Sequence, residues 1–579
     1  MTARIRTASL GDWLFACLRA ASVLFAMSAL AFSARQASGA WATFGNQAAT
    51  AVQNQVNAQA VSDGAGGMII VWQDFRSGVA DIYAQRFDAS GTKLWGDGGL
   101  AVCTETLGQE APVLTSDGAG GAVIAWQDLR SGAGYDIWAQ AVTPAGALKW
   151  APAGVAICTA SGNQVLEVIT TDAAGGAIIA WRDGRGVAAD VYAQRVSSTG
   201  TPLWTGDGVA VCTATGQQND ISIVSNGQGG AFLAWRDPRN GTSNNDIYAQ
   251  ALNSSGTPLW TADGVVVTNA VQNQIDPSIS YDGNLGVLIA WQDTRNATDY
   301  DIYAQRLNST GTALWTPNGV QACDVDSAQS APIVVSDGAR GAILAWTDAR
   351  VSRPDIYAQR LDSLGTRLWG GLNGVAVCSA DSGQFIKTLI ADKTGGAIVG
   401  WDDERGAGND EDIYAQALSP TGTVRWTANG VKIATGSGTR RLTTSAPDGY
   451  GGALFAWEDF RNGATSDVFG LRVTSVGTGI ETASAPRAAA RLLTPYPNPF
   501  NPHTTIEFTL TEPSRFSLSI HDVQGRLVRS LGAGVAQAGT RTFQWDGTRN
   551  DGSACASGAY FAVLSLPSGT RSTSLRLIR

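Results

Sequence analysis

Eight tryptophans, Trp72, Trp126, Trp181, Trp235, Trp291, Trp346, Trp401 and Trp457, recur at intervals of 54 to 56 residues, each followed two positions later by Asp and four positions later by Arg. A second ladder, Trp41, Trp95, Trp150, Trp204, Trp260, Trp315, Trp369 and Trp426, runs through the same units, so the two ladders take sixteen of the nineteen tryptophans. Self-similarity at such a period belongs to repeat architectures, in which each unit is one supersecondary element that buries its apolar face only against its neighbours. Any fold proposed for residues 41–480 must therefore place eight equivalent units.

The second unit shows the content of each. Glu110–Ser116 leads into Asp117-Gly118-Ala119-Gly120-Gly121, a turn rich in residues that accept positive φ. Ala122–Trp126 is a short apolar run of the kind found in strands buried on both faces. Asp136–Gln140 follows, and Pro144-Ala145-Gly146 turns the chain into Leu148-Lys149-Trp150 and Gly154–Cys158. Four short β segments without a helical period predict a four-stranded antiparallel blade, and radial repetition of blades predicts a β-propeller, with a solenoid as the alternative. The eighth unit lacks its fourth segment after Phe469–Val473, while Trp41-Ala42-Thr43-Phe44-Gly45 aligns with Trp95–Gly99 but has no strands before it. An eight-bladed ring closed by the N-terminal strand satisfies both ends and removes an open sheet edge.

Each unit carries an Asp-x-Arg pair: Asp74/Arg76, Asp128/Arg130, Asp183/Arg185, Asp237/Arg239, Asp293/Arg295, Asp348/Arg350, Asp403/Arg405 and Asp459/Arg461. These are expected to be structural ion pairs that pin the mouth of each blade and reach the Asp opening the third strand (Asp81 in the first unit). The competing reading is a ring of eight sites gripping carboxylate or sulfate. A catalytic site needs one asymmetric constellation, which an eightfold feature does not supply. The recurrent tryptophans are read as core packing between blades rather than sugar platforms, and Trp138, where other units have Tyr, as a swap within that role. Cys103, Cys158, Cys212, Cys323 and Cys378 share one position of the fourth segment, too far apart between blades for disulfides. They are expected to act as small buried hydrophobes.

Composition enters as exclusion. Histidine occurs only at His503 and His521, so residues 41–490 can form no Ser-His-Asp triad, Cys-His pair or histidine zinc site. The net charge of −9 repels nucleic acid. No cofactor motif is present; the acidic stretches Asn409-Asp410-Glu411-Asp412 and Asn244-Asn245-Asp246 are candidates for Ca²⁺ but lack EF-hand spacing. Residues 1–40 read as a secretory signal peptide: Arg4, Arg6 and Arg19 precede the apolar run Ala20–Ser33, and Ser38-Gly39-Ala40 offers a cleavage site between Ala40 and Trp41. The run is shorter than the ~20 residues of a spanning helix, and no later segment is apolar enough to span.

After an Ala/Pro/Arg-rich linker, assigned to residues 481–493, a different module occupies residues 494–579. Pro495-Tyr496-Pro497-Asn498-Pro499-Phe500-Asn501-Pro502, the Asp522-x-x-Gly525-Arg526 turn, Trp545-Asp546-Gly547 and Ser557-Gly558-Ala559-Tyr560-Phe561 punctuate alternating runs such as Thr505–Leu510. This module resembles the Ig-like domain shared by flagellar hook-capping proteins and the C-terminal sorting domains of type IX secretion. The resemblance implies a small β-sandwich, delivery across a bacterial outer membrane with secretion machinery as partner, and display on or release from the cell surface. The repeat itself resembles those of secreted bacterial β-propellers, which implies architecture and no particular reaction. It departs from the Ser-x-Asp-x-Gly-x-x-Trp box of sialidases, since Asp63-Gly64 precedes Trp72 by too many residues. The resulting expectation is a secreted or surface-held propeller acting as a noncatalytic binding or adhesion module for a glycan or protein ligand. The alternative is an extracellular glycan-active hydrolase or lyase using carboxylate and Tyr groups on the variable-loop face, formed by the loops after Asp-x-Arg and after the fourth segment, which differ in length and residue type between units. An asymmetric, electrostatically perturbed carboxylate cluster on that face decides for the alternative.

Overall fold

The computed structural model describes residues 41–475 and 490–579, apart from 43, 50, 242–243, 407–409, 464, 493–494, 511–513, 524, 538 and 567–568. The signal-peptide assignment, including Ala40, lies outside these residues. The chain divides into two compact units, residues 1–480 and 481–579.

The first unit is an eight-bladed β-propeller of four-stranded antiparallel sheets. In blade 2 the strands are Gln109–Ser116, Ala122–Asp128, Asp136–Val142 and Val155–Cys158, in that order from the axis outwards. The fourth strand is shorter than expected. Leu148-Lys149-Trp150 stands outside it, joined to the third strand only by an isolated bridge between Val142 and Leu148. Every residue of the second strand is buried, which accounts for its unbroken apolar run. The Asp-Gly-x-Gly-Gly turn is explained atom by atom in blade 1. Asp63 Oδ1 accepts the N–H groups of Ala65 and Gly67 at 2.8 Å, Gly66 has φ +85°, and a Cβ on Gly67 would meet the Phe87 carbonyl at 2.2 Å.

The ring closes as the end-to-end comparison predicts. Asn46–Gln47 pairs with Phe469 and Gly470, completing the blade built from Arg440–Pro447, Ala453–Asp459 and Asp467–Val473. Trp41 belongs to this seam. In seven blades the indole N–H of the second ladder donates to a carbonyl in the turn of the next blade, from Trp95 to Pro144 through Trp426 to Ser475. Trp41 makes the eighth such bond, to Ala89 of blade 1 at 3.1 Å. Blade 8 differs where its outer strand is foreign. The Gln of the third strand, Gln85 in blade 1, holds the turn into its own fourth strand through Trp95 N–H and Gly96 O. Blade 8 has no such turn and places buried Leu471 there.

The second unit is an Ig-like β-sandwich. Ala490–Leu492, Thr504–Leu510 and Gly539–Trp545 form one sheet. Leu527–Ala536, Ser514–Asp522, Gly558–Leu566 and Gly569–Leu577 form the other. Phe500, Phe508, Ile520, Trp545 and Leu575 lie in its core. Residues 490–492, assigned above to the linker, are instead an edge strand, because Ala490 to Leu492 pair in register with Leu510 to Phe508. No helix among the described residues is long and apolar enough to cross a membrane.

Candidate functional site

The recurrent motif is a closed hydrogen-bonded unit. In all eight blades the indole N–H donates to the Asp two residues later at 2.7–3.1 Å. The Arg guanidinium meets the same fully buried carboxylate at 2.5–2.7 Å. It also lies 3.5–4.0 Å over the aromatic ring of the third strand, Tyr in six blades, Trp138 in blade 2 and Phe469 in blade 8. Another N–H reaches the carbonyl before the outer strand, such as Gly98 in blade 1 and Phe44 of the closing strand in blade 8. The arginine is consumed by contacts within its blade and, in five blades, by the cysteine of the preceding one. It makes no hydrogen bond to the Asp that opens the third strand, contrary to the sequence expectation. In blades 4, 5 and 8 that residue accepts from a hairpin asparagine instead, as Asp246 does from Asn240 at 2.6 Å, and in blade 7 Asp412 accepts from Thr435 and Arg440.

The cysteines adjoin this clamp. Cys103 Sγ accepts from Arg130 of the next blade at 3.2 Å, and Cys158, Cys212, Cys323 and Cys378 repeat the contact at 3.2–3.4 Å. All are free and buried. Burial outweighs the neighbouring cations and pushes the thiols up to about 11 or about 12, so they are inert at neutral pH. Among the described residues no three His, Cys, Asp or Glu side chains converge on a metal position. Asp410 of one acidic stretch accepts the Gly438 N–H, and Asn245 of the other donates to Asn273.

Rotational symmetry breaks at the axis, on the face that carries the Asp-x-Arg hairpins. Inner strands of the first five blades wall a cavity of about 320 Å³ with residues such as Gln59, Val113, Val168, Ser222 and Ser278. At the hairpin end of the second strands the residue between Trp and Asp of the repeat varies from blade to blade: Gln73, Gln127, Arg182, Arg236, Gln292, Thr347, Asp402 and Glu458. The recurrent Trp, Asp and Arg leave this position unspecified. Several of these side chains reach the next blade. Gln73 accepts the Ala111 N–H, Thr347 that of Ile386, Asp402 that of Leu442, and Glu458 that of Asn57.

Blades 7 and 8 depart furthest from the repeat. In blades 1 to 6 the inner strand bulges at a left-handed residue, Asn57, Ala111, Leu166, Asp220, Asp276 or Ala331, with φ between 49° and 55°. In blades 7 and 8 the extra residue comes later, at Lys387 and Thr443, so that Ile386 and Leu442 pair directly with Trp401 and Trp457. Gly400 accompanies the change in blade 7. A Cβ there would lie 2.7 Å from Thr388 Oγ1, where six other units carry Ala before Trp and the first carries Val71.

Charged side chains gather at this displaced bulge. Asp402 Oδ1 accepts the Leu442 N–H at 2.8 Å and its Oδ2 lies 3.4 Å from Lys387 Nζ. Burial, opposed by that N–H and by Lys387, pushes Asp402 up to about 7. Glu458 accepts the Asn57 N–H at 2.7 Å and is also raised by burial, against that bond and Arg441. Arg441, the cross-strand partner of Glu458, lies 3.7 Å from Glu411. Two adjacent blades thus hold two perturbed carboxylates and two cations in no repeated pattern. A further lone acid, Glu167, is fully buried beside Gln127, and burial pushes it up to about 8. The Ig-like domain has a cavity of about 440 Å³ near Phe516 and Leu566 that no ionisable side chain lines among the described residues.

Residues 501–568 match the family model of the FlgD Ig-like domain. No curated protein matches the chain. Among solved structures, similarity is found to a polysaccharide lyase named as an ulvan lyase, with TM-score 0.41 and 10% identity over 74% of this chain and 96% of that one. A Penicillium chrysogenum alpha-L-arabinanase complexed with arabinobiose gives TM-score 0.32 and 10% identity over 66% and 98%. A Mycobacterium tuberculosis puromycin-hydrolyzing peptidase gives 0.37 and 13% over 73% and 61%. Likeness at this level leaves chemistry to be read from the site.

Proposed function

We propose that this protein is an extracellular glycan-active hydrolase or lyase, working at the channel mouth of blades 7 and 8, with Asp402 as proton donor and Glu458 as base. The observation that supports this reading over a noncatalytic module is the asymmetric carboxylate cluster. A binding module needs no acid poised near neutrality, whereas cleavage of a glycosidic bond needs one to protonate the leaving oxygen. Asp402, with its proton retained up to about pH 7, meets that need. Glu458 would take a proton from water in a hydrolase, or from sugar carbon in a lyase.

Assay of residues 41–579 against polysaccharides, following reducing ends and the ultraviolet absorbance of unsaturated sugars, tests the proposal. Asp402→Asn should lower kcat/KM by about 10²–10⁴-fold, and wild-type activity should fall as pH rises above about 7. Undiminished turnover by the variant removes Asp402 from the chemistry; glycan binding without turnover returns the noncatalytic reading. We propose further that the Ig-like domain serves as a surface-sorting signal for secretion machinery. Truncation after Ile480 should then leave a folded propeller in the periplasm, and its normal surface display would reduce the domain to a spacer.

A further inference from the structure

The cations beside Asp402 and Glu458 bear on which glycan the mouth takes. Elsewhere in the ring the recurrent arginines are tied off. Besides the eight clamp residues, Arg86, Arg195, Arg306, Arg360 and Arg472 lie 2.8–3.0 Å from the buried Asp of the Asp-Gly turns, with side chains 9–19% exposed. Lys387 and Arg441 are held differently. Their side chains are 41% and 62% exposed, and their carboxylate partners stand off at 3.4 and 3.7 Å.

One carboxylate ties together the two inner strands that carry these cations. Asp402 faces the Lys387 ammonium with one oxygen and takes the N–H of Leu442, the residue after Arg441, with the other. The inner strands of blades 7 and 8 are joined where the two cations emerge. Because Asp402 keeps part of its proton near neutrality, it offsets the charge of Lys387 incompletely. The chain's net charge of −9 weakens the long-range attraction of any polyanion, but exposed charges beyond about 8 Å are largely screened at physiological ionic strength, which leaves a local anion site open. An arginine fork matches the oxygens of a carboxylate or sulfate, and a lysine beside it adds a point charge.

We propose that Lys387 and Arg441 form an anion-recognising edge of the mouth, so that the glycan taken there carries carboxylate or sulfate groups. The statement that the ligand is a glycan rests on the function proposed above. Gel-retardation affinities of the full chain for polygalacturonate and its carboxyl-reduced form, and for dextran sulfate and dextran, test it. At least one anionic polymer should bind tenfold or more tightly than its neutral parent, and salt should weaken it. Preference for polygalacturonate identifies carboxylate as the group; preference for dextran sulfate identifies sulfate. The Lys387→Gln/Arg441→Gln double variant should lose that tenfold preference with its melting unchanged, while Lys149→Gln, at an exposed lysine of blade 2, should keep it. Equal binding of anionic and neutral polymers, or a preference untouched by the double variant, overturns the inference. Anion-selective binding without turnover of any glycan upholds it and overturns the enzymatic reading. Turnover confined to neutral glycans does the reverse.

Discussion

Blades 1 to 6 and blades 7 and 8 share the same clamp of Trp, Asp and Arg, yet their inner strands enter the channel differently. The adjacent residues Asp402 and Asp403 display the contrast within one strand. Asp403 is closed in by the Trp401 indole, Arg405 and the Ser382 hydroxyl, all repeat-derived or local contacts. Asp402, on the opposite face of the strand, meets the displaced bulge, a lysine and the next blade's backbone. The variation thus falls on the inner strand and on the face of the second strand turned towards it, and the mouth diverges without disturbing the clamps that hold the blades together.

The sharpest break of this comparison is removal of what all blades depend on. Deleting residues 41–52 removes Asn46–Gln47 from blade 8 together with the Trp41 and Arg461 contacts across the seam. It should abolish the single cooperative melt of the ring; an unchanged Tm and monomeric state would show that closure is dispensable.

Next in size, Arg295→Ala in blade 5 and Arg405→Ala in blade 7 each strand a fully buried aspartate. Loss of one partner from such a pair costs roughly 3–5 kcal/mol. Equal losses in urea unfolding would confirm that the clamp is common to both kinds of blade. A much smaller loss in blade 7 would separate them at the scaffold as well.

A last test concerns Glu167, in a column whose neighbours are Ala58, Pro112 and Ile221. Its folded pKa of about 8 stands above the ordinary 4.5, so the folded state keeps a proton that the unfolded state releases between those values. Stability is therefore full below about pH 4.5, declines by up to about 1.4 kcal/mol per pH unit as pH rises, and levels off above about 8. Glu167→Gln should flatten this slope in Tm measured from pH 5 to 8. An identical slope in the variant would assign the pH dependence to other groups.

Much of the scaffold was legible from spacing. The period, the four strands and the missing eighth segment led to eight blades and their seam, because each requires a contact made again in every unit. The limits of the fourth strand and the linker were less legible. Leu148 and Trp150 look like strand residues but leave the ladder, and Ala490–Leu492 looks like linker but finds Leu510 to Phe508 as partners. The mouth was hidden for another reason. Its signals were present in the residue between Trp and Asp, and in Gly400 where six other units have Ala, but a repeat comparison discards what does not recur.

By itself the sequence determined the kind of sheet, the number of blades, the buried faces and the absence of histidine chemistry from the ring. Those follow from local periodicity and composition, which need no knowledge of neighbours. The tertiary structure alone decided which polar side chains meet at the axis. Asp402 bonds a backbone group 40 residues away and Glu458 one 401 residues away. Such pairings arise only when the ring closes and its inner strands converge, and the same convergence withdraws Asp402 from water and raises its pKa.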